Sequence, residues 1–577
     1  MIKLLIVLLT ILLILFVAFV AWFMVMKANG HCPLCAMKRV FTPRKLTIDV
    51  DKLEDYDEGM APTPPMGWSS WNTFRNHIDQ TLIEEIADAL VNTGLADAGY
   101  KYVNLDDCWQ SSMRDADGKL QGDLRTFSDG IPELIKRINE KGLKVGLYSS
   151  NGTLTCEDMP ASLGNELLDA RTFASWGCEF LKYDFCHHSS ISSSCPPIEY
   201  LELNKLGESE YITLPPDRAE YTGRAKTITD KDLPSGKAIG FISHGSGTAT
   251  LKTTLVEEGE YILTIVYGKD FSMKEQYLQV IVNDTLHEIS FPKGFGFSDN
   301  GRVQLKIKLE EGVNKIVLQN PVATFVDSSF IQYQRMGKAL KQATKEWAEF
   351  TGTEEKPITF SICEWGHAKP YLWGAKAGNM WRTTHDIFPF WKSINLIYKH
   401  TIKKYSFARV GAYNDPDMLE VGNGKLTENE NIAHFSLWCM MAAPLMLGND
   451  IRKLLDGNSN PVNNSSTLKI LTNKQLIAID QDALCKPAKR IAKSVGVDIL
   501  ARPLSNGDVA LCFFNPKSSA RTARFSLEAL TQDSYLDFGK VSTYEIHDLW
   551  SDERTVTSNI SVSVPKHGVK VYRVKSI

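Results

Sequence analysis

The chain has 577 residues, more than one ordinary core accommodates, so several domains are expected. Hydrophobic residues make up 43% and charged residues 23% of it, and 12 Trp, 19 Tyr and 26 Phe exclude a disordered polypeptide. A net charge of -4 supplies no basic field for nucleic acid, which removes polyanion binding from the expected functions.

The first element in chain order is an uncharged apolar run, Leu4 to Met26, bounded by Lys3 and Lys27. About 20 such residues at 1.5 Å rise cross the hydrocarbon layer, so a single-pass transmembrane helix is expected. A cleaved signal peptide is the alternative, but its apolar region is usually about 7 to 15 residues, and a clear Ala-x-Ala site is missing. Lys27, Lys38, Arg39, Arg44 and Lys45 follow the run, whereas only Lys3 and the amino terminus precede it. The positive-inside rule would then place the large domain in the cytoplasm. The function argued below points instead to an extracytoplasmic domain. Cys32-Pro33-Leu34-Cys35 lacks a second ligand pair and reads as a linker feature. Eleven cysteines, an odd number over a long chain, do not suggest a small disulfide scaffold. Residues 1–60 are thus read as anchor and linker, ending at the Pro-rich Ala61-Pro62-Thr63-Pro64-Pro65.

From Met66 short apolar strands alternate with helical patterns. Tyr102 to Leu105, Leu143 to Tyr148, Phe180 to Tyr183 and Ile358 to Ile362 have the near-continuous apolar character of buried strands. Leu82 to Asn92, Ile131 to Lys141 and Leu168 to Trp176 have helical spacing. The alternation predicts a parallel sheet, open or closed into a barrel, over residues 61–194 and 334–485. It is interrupted at 195–333 by strand-like runs with frequent turns, including Ala249 to Leu255, Glu260 to Tyr267 and Tyr277 to Val282, which read as an inserted β-sandwich. Helix returns with Arg335 to Phe350. Residues 486–577 are again all-β, with a hairpin turn at Asn506-Gly507-Asp508, and predict a C-terminal antiparallel sandwich. The fold class is therefore multidomain α/β and all-β.

If the sheet closes into a (β/α)8 barrel, polar residues at the carboxyl ends of its strands form the active site. Asp106-Asp107-Cys108-Trp109, Tyr148, Lys182-Tyr183-Asp184, Cys363-Glu364-Trp365 and Arg382 with Asp386 occupy such places. One carboxylate alone reads as a cap or ion-pair residue, but the set together favours a polar ligand.

These runs, with Pro65-Met66-Gly67-Trp68-Ser69-Ser70-Trp71-Asn72, Trp381-Arg382-Thr383-Thr384-His385-Asp386 and Asn414-Asp415-Pro416-Asp417-Met418-Leu419, resemble glycoside hydrolase family 27, the α-galactosidases and α-N-acetylgalactosaminidases. The resemblance covers about Ala61 to Phe185 and Tyr333 to the C-terminus. It implies a (β/α)8 TIM barrel followed by an antiparallel β-domain, and a retaining exo-acting α-galactosidase. Asp184 would be the nucleophile that forms a covalent glycosyl-enzyme, and Asp386 the general acid/base. Retention requires the two carboxyl groups about 5 to 5.5 Å apart. Asp386 must hold its proton near neutral pH, and the charge of Asp184 is the expected cause.

By the same resemblance Asp106 and Asp107 accept from the 4- and 6-hydroxyls of galactose, Lys182 donates to sugar hydroxyls, and Trp71 and Tyr148 wall the pocket. Arg382 would bond the 2- and 3-hydroxyls. The Cys363-Glu364-Trp365 run resembles the form that takes a free 2-hydroxyl, with an N-acetylgalactosaminidase as the alternative. A catalytically silent sugar-binding surface protein is the reading from another class. Cys156 and Cys186 match a disulfide pair, and Cys108 lacks the partner it has in some relatives. Asp415 and Asp417 read equally as a turn that shapes the rim. No cofactor or metal is implied. The expected partners are a carbohydrate with terminal α-galactose, the membrane, and polysaccharide bound by the insert if it is a carbohydrate-binding module. A structural lid or dimer contact is the insert's other reading.

Overall fold

The computed structural model describes residues 45–57, 59–268, 275–291, 300–539, 541 and 543–577, together with residues 16, 19, 20, 21 and 24. The expected transmembrane run Leu4 to Met26 lies outside the described residues except for those last five, which are helical, and Cys32 and Cys35 lie outside them too. Among the described residues no helix is long and apolar enough to cross a membrane.

Two compact units divide the chain: Leu53–Ser189 with Gln332–Ile577, and Met1–Lys52 with Ser190–Ile331. The first holds eight parallel strands, β1 (Met66–Ser69), β2 (Tyr102–Asn104), β3 (Lys144–Ser150), β4 (Phe180–Asp184), β5 (Thr359–Ile362), β6 (Met380–Arg382), β7 (Tyr413–Asp415) and β8 (Leu445–Leu447). Their order is β7-β6-β5-β4-β3-β2-β1-β8, and Leu419, just past β7, bridges Leu447 of β8 in parallel. The sheet therefore closes, as the (β/α)8 reading requires.

The connecting helices carry the signals that start them. In α1 (Gln80–Asn92) the Asp79 side chain accepts from Leu82 N, and Leu82, Ile83, Ile86, Ala87 and Leu90 form the buried stripe. The next helix, α2 (Ile131–Glu140), starts with Pro132 in its first turn after Gly130, and α3 (Glu166–Trp176) ends on the left-handed Gly177. Helix α4 (Phe325–Thr351) begins ten residues before the Arg335 expected from periodicity. The cause is a reciprocal cap: Asp327 N donates to Thr324 Oγ1 and Thr324 N to Asp327 Oδ2. After β6 and β7 come α5 (Trp391–Thr401) and α6 (Glu428–Met440), the latter opened by a Thr427–Glu430 capping box.

The same unit ends in a six-stranded antiparallel sheet that includes Val497–Pro503, Val509–Phe514 and Val569–Ser576, faced by the pair Arg521–Ser526 and Asn559–Val564. Val497, Ile499, Leu511, Phe513 and Val574 build its core. It is tied to the barrel by the buried Arg502, which donates to Cys439 O (2.7 Å) and Asp480 O (3.2 Å), and by Trp391 stacked on His567 at 4.6 Å.

The second unit is a sandwich of a five-stranded and a six-stranded antiparallel sheet around Leu251, Leu263, Ile265, Leu278, Val280 and Leu318. Its neck is clasped by the buried Asn320, whose amide donates to Ser192 O (3.0 Å), Ser194 O (3.2 Å) and Tyr277 O (3.0 Å). Those bonds join the chain entering the sandwich to the chain leaving it.

Candidate active site

Asp184 is the last residue of β4, and the sequence places it there because Phe180, Leu181 and Tyr183 are apolar enough to be buried in the barrel sheet. Its carboxylate is 5% exposed. Oδ1 accepts from Phe185 N at 2.8 Å and Oδ2 from Tyr148 OH at 3.2 Å. Burial pushes the carboxyl up to about 7; Lys182 opposes that rise, and the carboxylates of Asp386 and Asp106 add to it.

Lys182, two residues back on the same face, is within 2.8 Å of Asp106 Oδ2 and lies 5.2 Å from the centre of the Tyr148 ring. Asp106 and Asp107 are both buried. Asp106 N donates to Ser70 Oγ (3.0 Å), which ties the end of β2 to the end of β1. The oxygens of Asp107 accept from Cys108 N (2.8 Å) and Glu157 N (2.9 Å), and burial raises its carboxyl to about 6. The Thr155 side chain and these two backbone N–H groups oppose that rise. Trp71 is half-buried, with the Arg75 guanidinium 5.3 Å from its ring centre, and the neighbouring Asn72 donates to the buried Glu420.

Cys156 and Cys186 form a disulfide beside Asp184, and Tyr148 OH also contacts Cys156 Sγ at 3.3 Å. Gly152 permits the approach of this loop, since a Cβ there would collide with the carbonyl of Cys186. Cys108 is a free thiol.

The acid after β6 has a different setting. Asp386 has a side chain 46% exposed, whereas Asp184 is buried. The buried Arg382 donates through Nη2 to Asp386 Oδ1 (2.9 Å) and stands 2.9 Å from Asp417 Oδ2, and its Nη1 lies 3.7 Å from Cys363 Sγ. Burial alone would raise the Asp386 carboxyl, but Arg382, with Lys182 and His385, outweighs it and holds the group below its ordinary value. The sequence-based expectation was the reverse, a raised Asp386. The difference arises because a guanidinium in direct contact outweighs the repulsion from Asp184.

Asp417 is a residue the sequence left ambiguous. Its φ of 78° marks a turn, yet its carboxylate takes Arg382 on one side and Ile387 N (2.8 Å) on the other, bracing the segment that carries Asp386. Glu364 and Trp365 complete the expected set at the end of β5. Glu364 is buried and accepts from Ala368 N within its own loop, while Trp365 stacks on His385 at 6.1 Å. Gly366, with φ of 77°, lets this loop press on Thr383, whose carbonyl would be 2.5 Å from any Cβ. Arg382, Cys363, Lys182, Asp106, Tyr148, Asp184 and Asp386 thus converge on one end of the barrel.

The sequence model described as "Alpha galactosidase A" matches residues 63–224 and 322–482, and that described as "Alpha galactosidase C-terminal beta sandwich domain" matches 495–574. "Alpha-galactosidase 2" of Arabidopsis thaliana is 30% identical over 539 residues, covering 91% of this chain and 95% of its own. The "Alpha-galactosidase" of Coffea arabica is 32% identical over 519 residues, covering 89% of this chain and 94% of its own. The crystal structure of α-galactosidase I from Mortierella vinacea superposes with a TM-score of 0.61 at 25% identity, covering 90% of this chain and 98% of that one.

Proposed function

The chain belongs to the α-galactosidases of glycoside hydrolase family 27, and we propose that it removes terminal α-linked D-galactose from oligosaccharides or glycoconjugates by a retaining double displacement at Asp184 and Asp386. The observation that carries the assignment of roles is the contrast between the two acids: one buried at the end of β4, one half-exposed after β6, with Arg382 and Lys182 between acidic neighbours.

In the first step the Asp184 carboxylate attacks the anomeric carbon while Asp386 gives its proton to the leaving oxygen; in the second Asp386 takes a proton from water, which displaces Asp184 from the same face the leaving group left. Asp106, Asp107, Lys182 and Arg382 hold the galactose hydroxyls, and Trp71 and Tyr148 offer apolar ring faces to the sugar. Cys363, Glu364 and Trp365 close the pocket at the 2-position. No step uses a cofactor.

Without ligand the one proton shared by the pair rests on Asp184, because Arg382 holds Asp386 ionised. When a sugar draws the Arg382 fork toward its 2- and 3-hydroxyls, Asp386 loses its counter-charge and Asp184 becomes the better anion. The pH dependence follows with a definite sign. Raising pH through about 7 strips the last proton from the pair, so kcat/KM for nitrophenyl α-galactoside is expected to fall above about 7. A pH–rate profile measures this, and a flat profile from 6 to 9 contradicts the shared-proton arrangement.

Specificity is tested by comparing nitrophenyl α-galactoside with its 2-acetamido and α-glucoside counterparts. The galactoside is expected to be turned over fastest, and faster turnover of either counterpart rejects the assignment.

We infer a single-pass membrane attachment through Leu4 to Met26, supported by the uncharged length of that run. We place the catalytic unit outside the cytoplasm on the strength of its Cys156–Cys186 disulfide, against the positive charges that follow the run. The inserted sandwich is assigned to polysaccharide binding, supported by its two antiparallel sheets in a chain that acts on carbohydrate.

A further inference from the structure

We propose that Glu420 is a positioning residue for sugar binding: it clamps the turn that carries Trp71 to the loop after β7, and so sets where that wall of the pocket stands. The inference rests on the galactosidase reading above, in which Trp71 meets the sugar, and adds what holds the ring in place.

The turn has little of its own to hold it. Trp71–Phe74 is a single helical turn directly after β1, and none of its four residues is fully buried. Ser70 before it accepts from Asp106 N and gives the turn no side-chain cap. The chain then leaves through Arg75 at a φ of 52°, which a residue with a side chain adopts at a cost. Phe74 meets Trp68 with ring centres 6.0 Å apart, and two polar side chains anchor the middle of the turn. Asn72 donates to Glu420 Oε1, and Thr73 Oγ1 donates to Gly448 O at 2.6 Å.

The other half of the clamp is fixed. Glu420 is 1% exposed, and its N–H donates to His434 Nε2 of α6 at 2.9 Å. Its second oxygen accepts from Asn423 Nδ2 at 2.6 Å, and the same amide reaches Gly448 O at 3.1 Å. Gly448, just past β8, donates its N–H to Leu419 O at 2.9 Å, and Trp438 of α6 donates through Nε1 to Asp417 O at 2.8 Å. The carboxylate therefore projects from a backbone pinned to α6 and to the end of β8, and Asn72 is its link to the turn. Burial raises the Glu420 carboxyl to about 7; Asn423, Asn72 and Arg75 oppose that rise and Asp417 adds to it. A group so placed serves as an acceptor more than as a charge, so an uncharged acceptor of the same shape can replace it. The partners Asn72, Asn423 and His434 take no part in bond making, so loss of the clamp should be felt in sugar binding rather than in chemistry.

The test measures kcat and KM for nitrophenyl α-galactoside, with the inhibition constant for galactose, in Glu420→Met, which keeps bulk and removes both acceptors, and in Glu420→Gln. Glu420→Met is expected to raise KM and the inhibition constant about tenfold with kcat within about threefold of wild type. Glu420→Gln should return both to within about twofold, because the Asn72 amide can turn to face its own kind. In a Trp71→Ala background Glu420→Met should add less than about twofold, since the residue acts through that ring. An unchanged inhibition constant, an equal fall in kcat, or a full tenfold effect in the Trp71→Ala background overturns the proposal. If Glu420→Met does not fold, Asn72→Ala cuts the same link and carries the same expected outcomes. A wild type that leaves nitrophenyl α-galactoside intact refutes the galactosidase reading itself and the positioning role with it.

Discussion

Asp184→Ala is expected to lower kcat for α-galactosides by about 10⁴-fold or more, because it removes the atom that forms the glycosyl-enzyme and leaves no neighbour able to replace it. Lys182 cannot act as a nucleophile while it is charged and held at Asp106, and burial pushes the Tyr148 hydroxyl well above its usual range. The fold should persist, since Tyr148 OH keeps its contact with Cys156 Sγ at 3.3 Å and a buried carboxyl is lost rather than created. Azide should restore part of the rate on nitrophenyl α-galactoside by entering the vacated space, on the face opposite the leaving group. The product would then be β-galactosyl azide, identified by NMR. Activity near wild type, or an α-configured azide, would falsify the role given to Asp184.

The second large effect separates the two acids. Asp386→Ala should lower kcat/KM for galactosyl-α-1,6-glucose by about 10³- to 10⁴-fold, because the alkoxide of a sugar is a poor leaving group without protonation. Nitrophenyl α-galactoside, whose leaving group needs little help, should lose much less in the first step and then stall as the glycosyl-enzyme, visible as a burst. Azide would release that intermediate as α-galactosyl azide, the opposite configuration from the Asp184 variant. Arg382 keeps Asp417 at 2.9 Å, so the pocket is not left with an uncompensated buried cation. Equal losses on both leaving groups would show that Asp386 does not protonate the departing oxygen.

Asp184 stood out in the sequence because a parallel strand buried on both faces is nearly all apolar, and a carboxylate that ends one is conspicuous. Asp386 lies four residues past β6 and, like both catalytic roles, was legible only through the resemblance, here of the Trp381-to-Asp386 run. Phe180 to Asp184 is such a case, and the closed barrel around it agrees with the β-then-α alternation. The start of α4 was not read from periodicity, yet Thr324 and Asp327 are spaced as a capping pair, a signal obscured by the strand pattern just before it. The partners of Arg382 were legible only as a list of nearby acids. That one guanidinium is shared by Asp386 and Asp417 depends on side-chain torsions and on a left-handed backbone at Asp417, which spacing does not encode. For the same reason the direction in which Asp386 is shifted could not be derived from the presence of Asp184 alone.

The Asn320 clasp bears on how such a chain assembles. The barrel strands β4 and β5 are neighbours in space but are separated in the chain by the whole sandwich and by α4. A chain that had to close so long an excursion in one step would give up more configurational freedom than one closing a short connection, by about 1 kcal/mol for a threefold change in length. Once the sandwich has folded, Asn320 holds its first and last residues together, so the barrel meets it as a brief tether. Folding of the sandwich before the barrel is then the cheaper order, and a module with its two ends side by side can be acquired or lost between β4 and α4 while the eight-stranded register stays as it is.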